Sequence, residues 1–127
     1  YNMDYDWHFS NDKPIYSQII EQIKQLIVSG GFSPGDKLPS VRELAQTACV
    51  NPNTMQKAMS ELEKDGLLYT LRSSGRFITD DEALIKKIKN ELAEAEIENF
   101  MQGMSKLGFS VEETINLISE KQGGDNS

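Results

Sequence analysis

Two helix-start signals, eleven residues apart, constrain the fold of this chain more than any other feature. At the first, Ser40 and Glu43 have the spacing of a capping box, in which two side chains satisfy free backbone N–H groups. At the second, Asn51 is a preferred N-cap residue, and Pro52 follows where its missing N–H costs no hydrogen bond. The first helix is expected to end near Cys49. A turn of about three residues then joins two short helices, which is the spacing of a helix-turn-helix.

A hairpin is predicted directly after the second helix, which ends at Asp65-Gly66. Residues 67–71 and 76–78 are rich in apolar and aromatic side chains and enclose a polar turn, a pattern that predicts two short strands. A helix-turn-helix followed by a hairpin is a winged helix. The helix before the hairpin is expected to turn one apolar face inward, formed by Met55, Ala58, Met59 and Leu62.

The segment before the helix-turn-helix contains one more helix signal. Trp7 and Phe9 alternate with polar residues, as in a short strand or an extended arm. An apolar stripe at helical spacing then predicts a helix that begins at Pro14 and ends at Gly30. Residues 33–36 have the composition of a tight turn.

Two helices are predicted after the wing. Thr79 and Glu82 have capping-box spacing and predict the start of a long helix that ends at Gly108. Ser110 and Glu113 repeat the capping-box spacing and predict a short last helix. The fold expected from all these signals is mainly α-helical with a small β wing.

The chain is expected to divide into a winged helix-turn-helix domain with its N-terminal arm, residues 1–79, and a helical dimerisation tail, residues 80–127. The last five residues of the tail are expected to be disordered. An isolated helix pair cannot bury its own apolar stripe, so the tail is expected either to pair with a second copy or to cover the winged domain. The tail residues expected at a homodimer interface are Ile85, Ile88, Leu92, Phe100, Met101, Met104, Ile115 and Ile118.

The charge of the chain is unevenly distributed. The 127 residues have a formal net charge of −7, which excludes a chain coated in basic residues. Residues 80–127 carry five basic and eleven acidic groups, a net −6, whereas residues 1–79 carry eight and nine, a net −1. Between Lys37 and Arg76 the balance reverses to a net +2. A DNA-reading face is therefore compatible with the acidic total.

Several other classes are excluded by composition. A single Cys, Cys49, forms no internal disulfide, and with one His, His8, it is too little for a zinc site of the usual type. No run of about 18 apolar residues exists to span a membrane, and a cytoplasmic location is expected. No phosphate-binding loop or catalytic triad is present, so we expect neither an enzyme nor a cofactor. Cys49 is expected to be buried in the helix-turn-helix core.

The helix from Pro52 has the chemistry of a DNA-reading helix. Its outward residues are short polar groups with one cation, Lys57, and no carboxylate precedes Glu61. Asn and Gln bind adenine in bidentate fashion, and the helix N-terminus favours phosphate. Arg72 and Arg76 flank the tip of the wing, from which cations enter a minor groove. These features favour binding to double-stranded DNA.

Less specific interpretations of the same residues stay open. Asn51 and Thr54 serve equally well as helix caps, and Arg72 and Arg76 as solvated hairpin residues. Winged helices also occur as protein-interaction modules that do not bind a specific DNA sequence. That module is the alternative function.

Three nearly continuous runs of sequence carry a family resemblance: PGDKLPSVRELA at 34–45, VNPNTMQKAMSELEKDGLL at 50–68 and YTLRSSGRFI at 69–78. Together with the Pro14-Ile15-Tyr16 start, they resemble the winged-helix domain of GntR-family bacterial transcriptional regulators. The short acidic tail is similar to the YtrA subfamily, which lacks the large effector-binding domains of other branches. The resemblance implies a homodimeric repressor that binds an inverted-repeat operator, often controlling a transporter operon and itself. It leaves open whether a small-molecule effector binds.

The resemblance also assigns roles to particular residues. Arg42 corresponds to a DNA-contacting arginine of the family, Asn51, Asn53 and Thr54 to the polar start of the recognition helix, and Gly75 to the wing glycine. The complete set of residues expected to bind DNA is Ser40, Arg42, Asn51, Asn53, Thr54, Gln56, Lys57, Arg72, Ser74, Gly75 and Arg76.

The chain departs from the family pattern at three positions, one within this set and two beside it. Many relatives have Arg where this chain has Pro52 and Gln56, and Gly where it has Ser73. Guanine readout by arginine from the recognition helix is therefore not expected. Asn53, Gln56 and Lys57 are expected to take its place.

Overall fold

The computed structural model describes residues 6–125, which form five helices and a two-stranded antiparallel sheet. This agrees with the predicted mainly helical winged fold. The elements are α1 (Ile15–Ser29), α2 (Val41–Ala48), α3 (Pro52–Lys64), β1 (Leu68–Leu71), β2 (Gly75–Ile78), α4 (Glu82–Lys106) and α5 (Val111–Asp125). Two compact units follow one another along the chain, the first up to Lys89 and the second from Asn90, so that the long helix α4 contributes to both.

The core of the first unit forms around α3. Its predicted inner face is fully buried and contacts α1, α2 and β1. From α1, Ile19, Ile23 and Ile27 pack inward because residues four apart share one face of a helix. Helix α1 begins at Ile15, one residue later than expected, because Pro14 with an extended ψ of 140° is its N-cap.

The N-terminal arm lies against α1 and is held there by two glutamine side chains. The amide of Gln22 accepts from the His8 N–H at 3.1 Å and donates to the His8 carbonyl at 2.7 Å. Gln18, which is buried, makes the same pair of bonds with Ser10 at 2.8 and 2.9 Å. The two amides replace the neighbouring strand that an extended segment otherwise needs. Residues 6–10 are thus an arm and not a strand, and residues 1–5 lie outside the described range.

The helix-turn-helix has the predicted caps. The Ser40 hydroxyl accepts from the Glu43 N–H at 3.1 Å and donates to its carboxylate at 3.2 Å, and Asn51 Oδ1 accepts from the Asn53 N–H at 2.8 Å. The expectation for Cys49 is wrong. It is exposed, because it ends α2 in the left-handed conformation at φ 57°, and its side chain does not continue the inward face of that helix.

The wing pairs β1 with β2 in the expected hairpin, and a third segment joins its edge. Leu68 lies opposite Ile78, and Leu71 lies opposite Gly75. The Leu38 N–H donates to the Arg76 carbonyl at 2.9 Å, and the Ile78 N–H donates to the Asp36 carbonyl at 2.8 Å. The segment before α2 therefore covers one edge of the hairpin, a pairing that the sequence pattern did not predict.

The start of α4 differs from the expected capping box. Asp81 is the residue whose carboxylate accepts from the Leu84 N–H at 3.1 Å, and its carbonyl accepts from the Ile85 N–H at 3.1 Å. The Thr79 hydroxyl instead accepts from the Asp81 N–H at 3.1 Å. Thr79 is buried, so it lies in the connection before the helix and not at its cap.

The predicted capping box of α5 is present. The Ser110 N–H donates to the Glu113 carboxylate at 3.0 Å, and the Ser110 hydroxyl accepts from the Glu113 N–H at 3.0 Å. The bond from the Ser110 backbone, followed by its side chain, lowers the pKa of Glu113. The helix continues to Asp125 and so includes part of the five-residue tail expected to be disordered, whereas Asn126 and Ser127 lie outside the described residues.

The three-residue connection of the wing generates a paired stability prediction. Ser73 has a φ of 71° and Gly75 a φ of 110°, so both adopt backbone conformations that favour glycine. Ser73→Gly is expected to raise the free energy of unfolding by roughly 0.5–1 kcal/mol, since an L residue in this region is strained. Gly75→Ala is expected to lower it by about 1–2 kcal/mol. Urea unfolding of both variants measures the difference, and equal shifts in one direction would contradict this account of the turn.

Candidate nucleic-acid interface

The first two turns of α3 present a polar surface without a carboxylate. Asn53 and Gln56 are exposed and Thr54 is half-buried, while Asn51 is an exposed cap whose carboxamide oxygen is already occupied. Gln56 Nε2 donates to the Ser60 hydroxyl at 3.2 Å. No acidic residue lies in the first turn, so the helix dipole there is not neutralised by a side chain. This surface can accept an anion and donate to base edges.

Lys57 adds the only cation in the first half of α3, and it contacts another helix. Its Nζ lies 4.0 Å from the centroid of the Tyr16 ring, in the first turn of α1. This is a cation–π geometry. The sequence did not predict this contact, because residues 41 positions apart give no local signal.

The start of α2 contributes the second part of the face. Arg42 is exposed in the first turn, next to Ser40, whose hydroxyl takes part in the capping box. A cleft of about 570 Å³ lies between this helix start and the wing. Lys37 and Arg76 line it with positive charge, and Glu43 lines it with negative charge.

Lys37 was also missed by the sequence analysis and lies against the wing. An added Cβ on Gly75 would approach Lys37 Cε to 3.2 Å, so glycine leaves room for the lysine stem to cross the hairpin. The backbones of Lys37 and Phe77 also form an isolated antiparallel bridge, which keeps Lys37 next to the hairpin. The edge pairing of the segment before α2 therefore places a cation beside the wing glycine.

The remaining wing residues separate into an exposed tip and a braced base. Arg72, Ser74 and Gly75 are exposed at the tip. Arg76 is only 20% exposed, and its Nε lies 3.7 Å from the carboxylate of Glu63 in the last turns of α3. The same carboxylate accepts from the Thr70 hydroxyl, and Thr70 is the cross-strand partner of Arg76. Arg76 is thus paired with α3 at the base of the wing, and its expected contact with DNA stays a prediction.

The second unit exposes a large apolar surface. Its exposed large hydrophobic side chains within residues 90–125 are Ile97, Phe100, Leu107, Phe109, Val111, Ile115, Leu117 and Ile118. Of the residues expected at a dimer interface, Phe100, Ile115 and Ile118 belong to this set. Leu92, Met101 and Met104 are half-buried. Exposed apolar side chains in this number are available for contact with a partner.

The other two residues expected at the interface lie in the first unit. Ile85 is half-buried, and Ile88 is 8% exposed, so Ile88 has little surface left for a partner. Ile88 belongs to the core and is removed from the expected interface. Five apolar residues of the exposed set were missed by the sequence analysis: Ile97, Leu107, Phe109, Val111 and Leu117.

The described part of the chain gives no sign of a metal site or of a membrane-spanning helix. Among residues 6–125, no group of three or more His, Cys, Asp or Glu side chains is placed to hold a metal ion. None of the described helices is both long and apolar enough to cross a membrane.

The helix-turn-helix, the wing at its side and the polar recognition helix define a winged-helix DNA-binding protein of transcription regulation. The family model of bacterial regulatory proteins, gntR family, matches residues 15–78. The chain belongs to the GntR family.

Relatives from Bacillus subtilis extend this similarity beyond the winged domain. The chain is 42% identical over 110 residues to the uncharacterised HTH-type transcriptional regulator YhcF, covering 87% of this chain and 91% of that protein. It is 44% identical over 97 residues to the HTH-type transcriptional repressor YtrA, covering 72% and 75%. Both relatives are transcriptional regulators and not enzymes.

Solved structures agree with the fold and with its DNA-binding class. A GntR family transcriptional regulator from Listeria monocytogenes has a TM-score of 0.80 and 44% identity, covering 88% of this chain and 98% of that one. The AraR DNA-binding domain in complex with operator ORX1 has a TM-score of 0.53 and 32% identity, covering 57% and 93%.

The contacts of Glu63 generate a prediction about the wing. Glu63→Ala removes the partner of both Thr70 and Arg76 and is expected to lower the free energy of unfolding by about 1–2 kcal/mol. Glu61→Ala is the matched control on the same helix, also half-buried, and is expected to cost less than about 0.5 kcal/mol. Urea denaturation measures both. Equal losses would mean that the carboxylate of Glu63 does not brace the wing.

Proposed function

We propose that this protein is a homodimeric transcriptional repressor that binds an inverted-repeat operator. The observation that carries the proposal is the exposed, carboxylate-free surface formed by the first two turns of α3, within a chain whose net charge is −7. Such a surface is suited to lie against phosphates and base edges in a major groove. The YtrA relative is a transcriptional repressor, and the AraR domain binds an operator in its solved structure.

The DNA contacts are proposed to divide into three groups. Asn53, Thr54 and Gln56 read base edges from the exposed side of α3. Ser40 and Arg42 bind the phosphate backbone, and Asn51 orients α3 by capping it. Lys57, which the sequence analysis groups with the base-reading residues, is proposed to bind phosphate as well. The exposed tip residues Arg72, Ser74 and Gly75 enter the neighbouring groove. Arg76 is left out of the contact set because its side chain is only 20% exposed and its Nε lies 3.7 Å from the Glu63 carboxylate.

The homodimer is proposed to form through the apolar surface of the second unit. A two-fold axis lets one patch pair with its own copy, and it repeats the recognition helix at the spacing of about 34 Å that successive major grooves require. The acidic groups of residues 80–127 are repelled by phosphate and disfavour DNA binding by the tail.

The DNA proposal predicts a charge-specific loss of binding. Duplexes are first selected from a randomised pool with the wild-type protein, and two-fold symmetric half-sites are expected among them. Arg42→Ala is then expected to weaken binding to a selected duplex about tenfold. It is also expected to reduce the slope of log K against log salt by about 1.8, because the homodimer loses one phosphate contact in each copy. Fluorescence anisotropy at several salt concentrations measures both quantities.

The matched control is Lys121→Ala, which removes the same single positive charge from the second unit. It is expected to leave affinity within twofold of the wild-type value. If no duplex is enriched, the chain is a protein-interaction module and the proposal is wrong. If a duplex is enriched and Arg42→Ala binds it like the wild type, the phosphate contact proposed for Arg42 is wrong. Where duplexes are enriched, the genes beside their genomic positions test the further expectation of a transporter operon and the regulator's own gene.

The dimer proposal predicts that charge on the apolar surface separates the two copies. Phe100 is 48% exposed and Ile115 is 55% exposed, so Phe100→Asp and Ile115→Asp place a carboxylate there without disturbing a core. Both variants are expected to sediment as monomers and to bind a selected duplex at least tenfold more weakly.

Each dimer variant has a control at the neighbouring position. Asn99→Asp and Asn116→Asp add the same charge at exposed sites that are rotated by about 100° around their helices. Both are expected to remain dimeric. A wild-type protein that sediments as a monomer at micromolar concentration, or dimers in all four variants, would overturn the proposed interface.

A further inference from the structure

Two residues that are far apart in sequence meet beside the proposed DNA contacts. Lys57 Nζ lies 4.0 Å from the centroid of the Tyr16 ring, close enough for a cation–π interaction. Tyr16 is half-buried in the first turn of α1, while Lys57 is exposed in the second turn of α3. The two helices share the core of the first unit, so the ring is held in place by the packing beneath it.

The contact bears on DNA binding because a free lysine is poorly suited to a fixed phosphate position. Its four-carbon stem has many rotamers, and ordering them opposes binding. A ring face that attracts the ammonium reduces the number of rotamers before DNA arrives. Because an ammonium has three N–H donors, it can face the ring on one side and still donate to a phosphate on the other.

The surroundings of Lys57 indicate which group it would meet. It is the only cation between Pro52 and Glu63, and no carboxylate precedes Glu61 on this helix. The neighbouring outward residues Asn53 and Gln56 carry carboxamides, which suit base edges better than phosphates. A compact cation at the margin of such a surface is complementary to the DNA backbone.

We propose that Tyr16 is a positioning residue of the DNA-binding face, which orients the ammonium of Lys57 toward a backbone phosphate. The inference rests on the proposed function and deepens it, because it adds an α1 residue to a face built from α2, α3 and the wing. Tyr16 acts through Lys57. Its effect on DNA affinity therefore depends on the presence of the Lys57 charge.

A double-mutant cycle tests this dependence on the full chain with a selected duplex. Lys57→Met, which removes the charge and keeps the length, is expected to weaken binding and to reduce the salt slope by about 1.8, because each copy of the homodimer loses one phosphate contact. Tyr16→Leu is expected to weaken binding by about two- to fivefold, the range of an exposed cation–π contact. In the Lys57→Met background, Tyr16→Leu is expected to cause no further loss.

The conservative variant separates positioning from a hydroxyl contact. Tyr16→Phe keeps the ring face and is expected to bind DNA within twofold of the wild-type affinity. Without DNA, the Lys57 ε-methylene proton resonances are expected at high field in wild type and Tyr16→Phe, because of the ring current, and at ordinary positions in Tyr16→Leu. If thermal denaturation shows no cooperative unfolding of Tyr16→Leu, Tyr16→Met takes its place in the cycle.

The outcomes distinguish this inference from the proposed function. If the wild-type protein selects no duplex, the proposed function itself fails. If it selects one, the inference alone is overturned by unchanged affinity in Lys57→Met, by unchanged or tighter binding in Tyr16→Leu, or by an equal Tyr16→Leu loss in both backgrounds. A change in the selected sequence caused by Lys57→Met would also overturn it, because that would indicate a base contact and not a phosphate contact.

Discussion

The burial of one face of α3 is the interaction on which the rest of the winged domain depends. Met55, Ala58, Met59 and Leu62 are fully buried, and each larger side chain contributes about 1.5–3 kcal/mol relative to exposure. Helices α1 and α2 and strand β1 all contact this face. The exposed side of its first two turns is free to be polar, because Asn53 and Gln56 lie outside this buried face. The sequence of α3 can therefore change its base contacts without changing its core.

Several contacts hold α3 in place next to the wing and α1. Asn51 caps the start of α3, and Tyr16 lies against Lys57 in its second turn. Near the end of the helix, Glu63 contacts Thr70 and Arg76 of the wing. On the other side of the wing, the edge pairing by Asp36 and Leu38 fixes the segment that leads into α2. A surface that is rigid before binding loses less conformational entropy when DNA arrives. This is useful to a reading face that carries few charges.

The features that the sequence predicted are those whose physics is local. The caps at Ser40, Asn51 and Ser110 each join atoms within three residues of one another. The sequence motif alone is therefore enough to predict the hydrogen bond. Helical periodicity likewise predicted the inner face of α3. The family resemblance then supplied the DNA-contact set, which stays a proposal residue by residue.

The features that the sequence did not predict depend on tertiary packing. The contact of Tyr16 with Lys57 and the pairing of Lys37 with Phe77 join segments about 40 residues apart, and no periodicity reports them. The prediction that Cys49 is buried is wrong, because it assumes that the residue continues the inner face of α2. The left-handed φ at the end of this helix turns the side chain outward. The apolar stripe along α4 is continuous in sequence, so its periodicity does not show that Ile88 is buried in the first unit while Phe100 is exposed in the second.

The exposed apolar surface and the modest charge of the reading face have a common consequence. A face with a net charge of +2 between Lys37 and Arg76 gives a single copy little affinity for DNA through counterion release. Pairing two copies converts the second half-site contact into an intramolecular step and multiplies the two weak affinities. By linkage, DNA with two half-sites stabilises the dimer by the same factor by which dimerisation strengthens DNA binding. In the proposed homodimer, the hydrophobic surface of the second unit thus determines how sharply the polar face of the first unit discriminates an operator from other DNA.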